Sequence, residues 1–486
     1  MKNINADVAE DGLPFPQRYW AMLTLMIGLA MSCLDTAIVN VALPSIARDL
    51  HVKPADSIWV VNAYQLAVMI SLLPFASMGD IFGYRRVYRF GLLLYTAAAL
   101  VSATAHSLEI LTLGRALQGL GAAGLMSVNT ALVRYTYPRR QLGRGIAMTS
   151  LVVAVSSAAG PSVAAAILAV ASWPWLFAVN VPIGVVTLVL SFWLLPSTPR
   201  SQHRFDLWSA GLSALMFGAV ICGINGIGHG QNPIAVTTEF GAALFAGWLL
   251  VQRQLDNPMP LLPVDLFRRP IFALSVTTSV CSFIAQGIAF VGLPFYFHDA
   301  LGASAVTTGL LMTPWAAMTA VMAPIAGRLA DRYPAGILGG IGLSVLACGF
   351  TLLALLPAHP TTLEILWRVG LCGLGFGFFQ SPNNRAIVSN APRERSGGAG
   401  AIQGTSRLLG QSVGAALVAL VFGIDPGGHG ARVAIALAAG FAGAAALTSL
   451  SRLSGAVAGL HRARHVPRTG AEPGSSTEAA SALRQP

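Results

Sequence analysis

Residues 20–41 read WAMLTLMIGLAMSCLDTAIVNV, an apolar run that contains one charged side chain, Asp35. A helix rises 1.5 Å per residue, so about 20 apolar residues cross the ~30 Å hydrocarbon layer of a bilayer. Of all 486 residues, 55% are hydrophobic and only 10% are charged, whereas soluble domains carry about 25% charged residues. The run therefore predicts a membrane-spanning helix, and the composition excludes a soluble enzyme and a disordered chain.

Thirteen further apolar runs follow the first one. Together the fourteen runs predict an all-α integral membrane protein with fourteen transmembrane helices. The eighth run is short, and the polar residues 252–256 follow it. The thirteen runs lie near Ile58–Met78, Val87–Thr104, Ile110–Thr130, Ile146–Val170, Trp175–Leu195, Leu207–Gly228, Phe240–Val251, Ile271–Phe297, Val306–Ala326, Ile337–Leu356, Leu363–Phe379, Gly398–Phe422 and Val433–Leu453.

The basic residues indicate how these spans are oriented. With the N-terminus in the cytoplasm, 24 of the 30 Lys and Arg residues fall in cytoplasmic segments, three in outer loops and three inside spans. Cytoplasmic loops of membrane proteins carry such an excess. We therefore expect both termini to be cytoplasmic. The net charge of +11 does not predict nucleic-acid binding, because the basic residues are spread in short groups between the spans.

A short sequence pattern occurs once in each half of the chain. Residues 107–111 read SLEIL and precede Arg115 and a GLG triplet, while residues 362–366 read TLEIL and precede Arg368 and a second GLG triplet. This repeat predicts two parallel six-span halves with two inserted spans, an organisation typical of secondary transporters. The predicted divisions are a cytoplasmic N-terminal tail (1–19), a first six-helix bundle (20–200), two extra helices (201–255), a second six-helix bundle (256–460) and a disordered cytoplasmic tail (461–486).

Asp35 is the acidic residue that the prediction places inside a span, whereas the other eighteen acids fall in loops, tails or span ends. A carboxylate at membrane depth is energetically costly and commonly belongs to an ion or proton pathway. Pro44 is taken as the outer end of the first span, which puts Asp35 about 13 Å below the surface. Ser32 and Thr36 are polar neighbours that could line the same pathway. The alternative is a structural aspartate held by hydroxyl or backbone groups.

Arg115 enters the fourth span from the outer side, six residues after Glu109, at a depth of about 9 Å. This depth is close to that of Asp35, and an arginine stabilises a nearby carboxylate anion. Gln118 would share the same helix face. The alternative is that Arg115 extends to the outer membrane surface and contacts no site.

Gly160 and Pro161 lie in the outer half of the fifth span, among small residues. Proline removes one helical hydrogen bond, and small residues allow neighbouring helices to approach closely. The pair therefore predicts a bend that packs against another helix.

The loop between spans two and three contains an acid, a glycine and two arginines. Such a loop could form a gate that joins the two halves on the cytoplasmic side, or it could simply anchor the helices at the membrane surface. The corresponding loop in the second half carries a similar acid–arginine pair. The candidate gate residues are Asp80, Gly83, Arg85 and Arg86 in the first half, and Asp331 and Arg332 in the second.

Four motifs resemble those of one transporter family. They read LDTAIVNVALP at 34–44, GDIFGYRR at 79–86, GRALQGLGAA at 114–123 and WLFAVNVPIG at 175–184. Together they resemble the fourteen-span drug–proton antiporters of the major facilitator superfamily, over residues 20–460. The resemblance implies the major facilitator fold, multidrug efflux and antibiotic resistance, and a multi-pass protein of the bacterial inner (plasma) membrane. It also implies proton transfer at Asp35 and Arg115.

We expect the protein to export lipophilic, cationic compounds in exchange for protons by alternating access of the two halves. One alternative is a proton-coupled exporter of a dedicated anionic or zwitterionic metabolite, with Arg115 and Arg368 attracting the substrate. A second alternative is a sensor or assembly protein that does not transport. No Ser/His/Asp grouping, metal-ligand spacing or nucleotide-binding loop is present, so neither an enzyme nor a cofactor is expected. The expected partners are small lipophilic substrates, protons and the lipid bilayer, without nucleic acid.

Overall fold

The computed structural model describes residues 12–138, 141–198, 206–228, 230–255, 264–357, 359–390, 396–425 and 428–464. These ranges contain helices and no strand, so the all-α prediction is confirmed for them. The α-helices are α1 (Gln17–Asp49), α2 (Pro54–Ser57), α3 (Trp59–Phe82), α4 (Tyr84–Ala103), α5 (Leu108–Thr136), α6 (Leu142–Leu168), α7 (Pro174–Ala178), α8 (Asn180–Leu194), α9 (Leu207–Gly228), α10 (Pro233–Leu255), α11 (Pro270–Phe295), α12 (Ala305–Leu329), α13 (Ala335–Ala354), α14 (Thr362–Ser389), α15 (Ser396–Ile424) and α16 (Gly428–Arg464).

Twelve helical segments within the described residues are long and apolar enough to cross a membrane. Each of them overlaps one of the predicted spans. The third and fifth predicted spans correspond to α4 and α6, which have 20 and 27 residues. The predicted disordered tail begins at residue 461, but α16 continues to Arg464; residues 465–486 lie outside the described part of the chain.

The first span is longer than predicted. Pro44 lies buried inside α1, and the helix continues to Asp49, so the prediction that Pro44 ends the span is wrong. Proline removes a single backbone hydrogen bond, and the surrounding helices of a membrane protein allow the helix to continue past it. The predicted sixth span is instead divided, because Val179 separates α7 from α8.

The eighth span is also longer than predicted, since α10 begins at Pro233 instead of near Phe240. Glu239 therefore lies inside this helix, and the prediction that Asp35 is the one acid in a span interior is wrong. Its Oε1 atom accepts a 3.4 Å hydrogen bond from Gln231. The helix packs on α9, so Glu239 belongs to the inserted helix pair and not to either six-helix half.

Glycines bring the same pairs of helices together in the two halves. On α5, a Cβ atom on Gly121 would lie 2.4 Å from the backbone nitrogen of Tyr95 on α4. On α14, a Cβ atom on Gly375 would lie 2.5 Å from the backbone nitrogen of Leu346 on α13. Such close approach requires glycine, since any side chain would separate the backbones. The two halves therefore repeat one mode of packing, as the sequence repeat indicates.

The two arginines of the sequence repeat do not occupy equivalent positions when the starts of their helices are aligned. Ser107 and Thr361 are the N-cap residues of α5 and α14. Arg115 follows its cap by eight residues, but the eighth residue after Thr361 is Val369, and Arg368 precedes it. One residue turns an α-helix by about 100°. Arg368 therefore faces a different direction from Arg115 and is not its counterpart.

The two halves pack together at one end of the bundle only. We call the end where α1 begins the near end and the end where it finishes the far end. At the far end, one buried cluster combines residues 38–61 of the first half with residues 283–297 of the second, and Arg48 donates a hydrogen bond to His298. Towards the near end, the halves have separate clusters, apart from Leu408, which joins the cluster of the first half. The described bundle is therefore closed at the far end.

We expect Gly121→Ala to lower the thermal stability of the detergent-purified protein. The new Cβ atom would overlap the α4 backbone, and overpacking costs about 1–3 kcal/mol. Gly218→Ala on α9 is the matched control, because no atom lies within 4 Å of its added Cβ. Unfolding midpoints are measured by fluorescence-detected size exclusion. A midpoint for Gly121→Ala that is no lower than that of the control would contradict the close contact between α5 and α4.

Candidate functional site

A buried ion pair lies in the first half, between α1 and α5. Arg115 donates from Nη1 to Oδ2 of Asp35, and both side chains are only 1% exposed. One turn along α5, the Gln118 amide donates to Asp35 Oδ1 over 3.1 Å and accepts a 2.8 Å hydrogen bond from Arg115 Nη1. The structure thus brings Asp35 together with Arg115, which was expected at a similar depth, and with Gln118, which was expected on the same helix face as Arg115.

The guanidinium of Arg115 is held by further contacts within the bundle. Its Nε atom donates to the carbonyl of Val60 on α3 over 3.1 Å. The guanidinium carbon lies 4.2 Å from the ring centre of Tyr64 and 5.5 Å from that of Phe177. Aromatic faces attract a cation in this geometry. Arg115 therefore points into the bundle and does not extend to the membrane surface.

Sequence reasoning missed Asn180. Its Nδ2 atom lies 3.4 Å from Asp35 Oδ1 and 3.3 Å from the carbonyl of Leu176. The break at Val179 starts a new helix at this residue and brings the amide to the ion pair. The available signal was an amide within an apolar run, which is weak because many membrane helices contain one.

Ser32 and Thr36 lie next to the ion pair but do not bond to it. The Ser32 hydroxyl donates to the carbonyl of Gly28 over 2.9 Å, and the Thr36 hydroxyl donates to the carbonyl of Ser32 over 3.3 Å. Both hydroxyls are therefore engaged with their own helix. Their role in lining a pathway stays a prediction.

Gly160 and Pro161 place α6 between the two halves. A Cβ atom on Gly160 would lie 2.2 Å from that of Ala37, two residues after Asp35. On the opposite side, a Cβ atom on Gly309 of α12 would lie 2.6 Å from the carbonyl oxygen of Pro161. The pair therefore joins α1 of the first half to α12 of the second. The predicted bend itself stays a prediction.

The candidate gate loop of the first half makes contacts within that half. The Tyr84 hydroxyl donates to Asp80, and Arg85 donates from Nη2 to the carbonyl of Phe192 on α8 over 3.0 Å. Arg86 is exposed. These contacts fix the near ends of α4 and α8 but do not reach the second half.

The corresponding residues of the second half behave alike. Asp331 pairs with Arg385 of α14 in the same half, and Arg332 is exposed. Gly83 connects α3 to α4 with φ at +96°, a backbone conformation that favours glycine. Between the candidate gate residues of the two halves, this structure therefore shows no bond within the described ranges.

Arg368, which the alternative with an acidic substrate requires, lies away from the ion pair. Its Nη1 atom donates to the carbonyl of Glu364 over 3.4 Å, and the guanidinium stacks 5.0 Å from the ring centre of Trp367. That ring is 46% exposed. Arg368 therefore faces the periphery of the second half, which weakens its assignment to a substrate site.

Comparison with known proteins identifies one family. The sequence profile of the Major Facilitator Superfamily matches residues 25–415. The chain is 54% identical to the uncharacterized transporter YebQ of Escherichia coli (strain K12) over 92% of this chain and 98% of that protein. It is 29% identical to the riboflavin transporter RibZ of Clostridioides difficile (strain 630), over 84% of this chain and 88% of that protein. It is 31% identical to the multidrug resistance protein Stp of Mycobacterium tuberculosis (strain CDC 1551 / Oshkosh), over 82% of this chain and 75% of that protein.

A solved structure shares the fold. It is a bacterial homologue of the human lysosomal transporter Spinster, in an inward-facing and unoccupied conformation. The TM-score is 0.66 at 14% identity, with 90% of this chain and 97% of that chain covered. At this identity the likeness concerns the fold alone.

We expect Arg115→Ala to destabilise the protein strongly, because it leaves the Asp35 carboxylate buried without its cation. Breaking such a pair costs about 3–5 kcal/mol. The double variant Asp35→Ala/Arg115→Ala removes both charges and should recover part of the loss. Thermal unfolding of the wild type, both single variants and the double variant measures the coupling. Strictly additive losses would show that the pair contributes no net stabilisation.

Proposed function

The chain belongs to the Major Facilitator Superfamily, and from this premise we propose that it exports lipophilic organic compounds in exchange for protons. Members of this family are transporters and not enzymes. The observation that carries the proposal is the occluded ion pair of Asp35 and Arg115. A carboxylate at membrane depth that can gain and lose a proton is what coupling to a proton gradient requires.

We propose fourteen spans, with both termini in the cytoplasm of a bacterial cell and the chain in its inner membrane. In this proposal α4 and α6 are added to the twelve candidate spans, which gives fourteen. Their 20 and 27 residues correspond to helix lengths of about 30 and 40 Å. Residues 20–200 and 256–460 then form the two halves. The excess of basic residues in the near-end loops supports the orientation, and the bacterial relatives support the membrane.

Protonation of Asp35 would change the contacts of α1. The ionised carboxylate accepts hydrogen bonds from Arg115, Gln118 and Asn180. A protonated carboxyl attracts a guanidinium much less, because the attraction between opposite charges is lost. Two residues further along α1, Ala37 contacts α6, which in turn contacts the second half. The proton state of Asp35 is thereby linked to the packing between the halves.

The proposed transport cycle uses the asymmetry of the two ends. The far end is closed by one shared cluster, whereas the near-end clusters of the halves are separate. Rocking of the two halves would open the far end and close the near end. We propose that the loops carrying Asp80 and Asp331 meet across the near end in that second state. In the present state each acid is bonded within its own half.

Organic cations are the first substrate class, because Asp35 could bind a cation after releasing its proton. The printed name of the relative Stp supports drug resistance as the outcome. A second candidate class is zwitterionic or anionic compounds. Arg115 already neutralises Asp35 in this state, so the site has no unpaired negative charge to attract a cation. This favours the zwitterionic or anionic class.

We expect Asp35→Asn to abolish proton-driven export by the folded protein, and to lower its thermal stability because the buried Arg115 loses its counter-charge. Asparagine retains a group for Gln118 and Asn180 to contact but cannot carry the proton. The measurement is drug flux in proteoliposomes with an imposed pH gradient. Glu239→Gln is the matched control, because it removes an acid from α10 in the inserted pair and should leave flux unchanged. Normal flux through a well-folded Asp35→Asn variant would overturn the coupling role.

We expect the export rate of a monovalent organic cation to be independent of the membrane potential. One proton exchanged for one monovalent cation moves no net charge, whereas a divalent cation would move one charge against about 2.3 kcal/mol per 100 mV. The test clamps the potential with potassium and valinomycin at a fixed pH gradient and compares the two substrates. Strong voltage dependence with the monovalent cation would require more than one proton per cycle and a second titrating site.

A further inference from the structure

Arg407 is an arginine at membrane depth for which the described residues provide no hydrogen-bond or ion-pair partner. Arg407 lies on α15, eleven residues after the start of the helix, which is about 16 Å from the near end. No hydrogen bond or ion pair from the described part of the chain reaches its guanidinium. Two other arginines that are buried in the bundle are engaged, since Arg115 pairs with Asp35 and Arg452 donates to Ser275 and Ser449.

Arg407 lies where the second half faces the first. The next residue, Leu408, belongs to the same buried cluster as Cys33 and Tyr64. This side of α15 therefore faces the helix that carries the proposed proton site.

Polar groups continue from Arg407 along α15. One turn further, Gln411 donates to Gln286 of α11 over 3.0 Å. The adjacent Ser412 donates to Gln65 of α3 over 3.2 Å, across the boundary between the halves. Arg407 thus belongs to a polar stretch on a helix that contacts both halves.

An unpaired guanidinium at membrane depth is costly and by default marks a site. Asp35 does not neutralise it in this state, because that carboxylate accepts its hydrogen bonds from Arg115, Gln118 and Asn180. Arg407 is only partly buried, and the near-end clusters of the halves are separate. A ligand entering from the near end could therefore reach the guanidinium.

We propose that Arg407 binds the acidic group of a zwitterionic substrate, a carboxylate or a phosphate, while the basic group of the same substrate is bound at Asp35. This assignment rests on the proposed transport function and names its substrate class. A guanidinium presents its donors in a planar fork that matches a carboxylate or phosphate. The second candidate class thereby becomes the preferred one, in its zwitterionic form.

The test compares two dyes that differ only at the acidic group. Rhodamine 110 is a zwitterion with a free carboxylate, and rhodamine 123 is its methyl ester and a cation. Equilibrium binding to the full-length protein in lipid nanodiscs is measured by fluorescence polarisation. A hydrogen bond between charged groups should make the wild type bind rhodamine 110 about tenfold or more tighter than rhodamine 123.

Three variants control the comparison. Arg407→Gln should remove the preference, and Arg407→Lys should keep part of it, because lysine retains the charge without the fork. Arg368→Gln removes an arginine from the periphery and should leave the preference at its wild-type value. Size exclusion and thermal unfolding establish that each variant is folded, and the lysine variant keeps the test decisive if the glutamine variant does not fold.

The outcomes distinguish the possible ligands. Equal affinities of the wild type for the two dyes, no binding of either dye, or a full preference in Arg407→Gln would overturn the proposal. Nanodiscs of phosphatidylcholine alone are compared with nanodiscs that also contain phosphatidylglycerol. A preference that disappears with phosphatidylglycerol would assign Arg407 to a lipid phosphate and also overturn it. Binding needs no proton gradient, so this result is independent of whether Asp35→Asn still exports.

Discussion

The energetic cost of charge inside a membrane constrains this protein more than any other factor. The hydrocarbon layer gives an isolated carboxylate or guanidinium no hydrogen-bond partners, so each charge in the bundle needs a counter-charge, a polar neighbour or a ligand. Asp35 and Arg115 satisfy each other, with Gln118 and Asn180 completing the shell. Five helices, α1, α3, α5, α7 and α8, contribute to this pair or contact it. A change in its charge would therefore alter contacts throughout the first half.

Close packing makes that link possible. Glycines at the contacts of α1, α4, α5 and α6 leave backbones and side chains without space to adjust, as at Gly160 against Ala37. Tightly packed interiors transmit a displacement instead of absorbing it. A rearrangement of α1 on protonation would therefore reach α6, and through Gly309 it would reach α12 of the second half.

The sequence predicted what depends on composition and on depth. Asp35 is identifiable because an acid in an apolar run is rare. Counting residues from the assumed span ends placed Arg115 at a similar depth, although α1 continues five residues past the assumed end at Pro44. Asn180 was not predicted, because its contact with Asp35 depends on a helix break at Val179. Pro182 in the first turn of α8 is compatible with such a break, but it does not show which side chain the new helix brings to the ion pair. Glu239 was assigned to a span end because the polar residues 237–239 interrupt the apolar sequence after α10 has already begun at Pro233.

Tertiary contacts decided the remaining differences. The gate residues Asp80 and Asp331 have the expected composition, but their partners depend on which end of the bundle is closed. Arg368 illustrates a limit of motif matching, since one residue of register turns it away from the position of Arg115. Arg407 was counted among the arginines within spans, and only the structure shows that it has no partner among the described residues.

If Asp35 carries the proton of the proposed exchange, electrostatics limits which substrates the proton can displace from this site. Protonation of Asp35 would leave Arg115 without its counter-charge, so positive charge would increase between the halves. A simple anion would then bind more tightly to the protonated state, and by linkage it would move together with the proton. A basic group at Asp35 is instead displaced by the proton, as exchange requires. A zwitterion would allow exchange and would also neutralise the unpaired arginine. Its basic end would compete with the proton for Asp35, while its acidic end would neutralise Arg407.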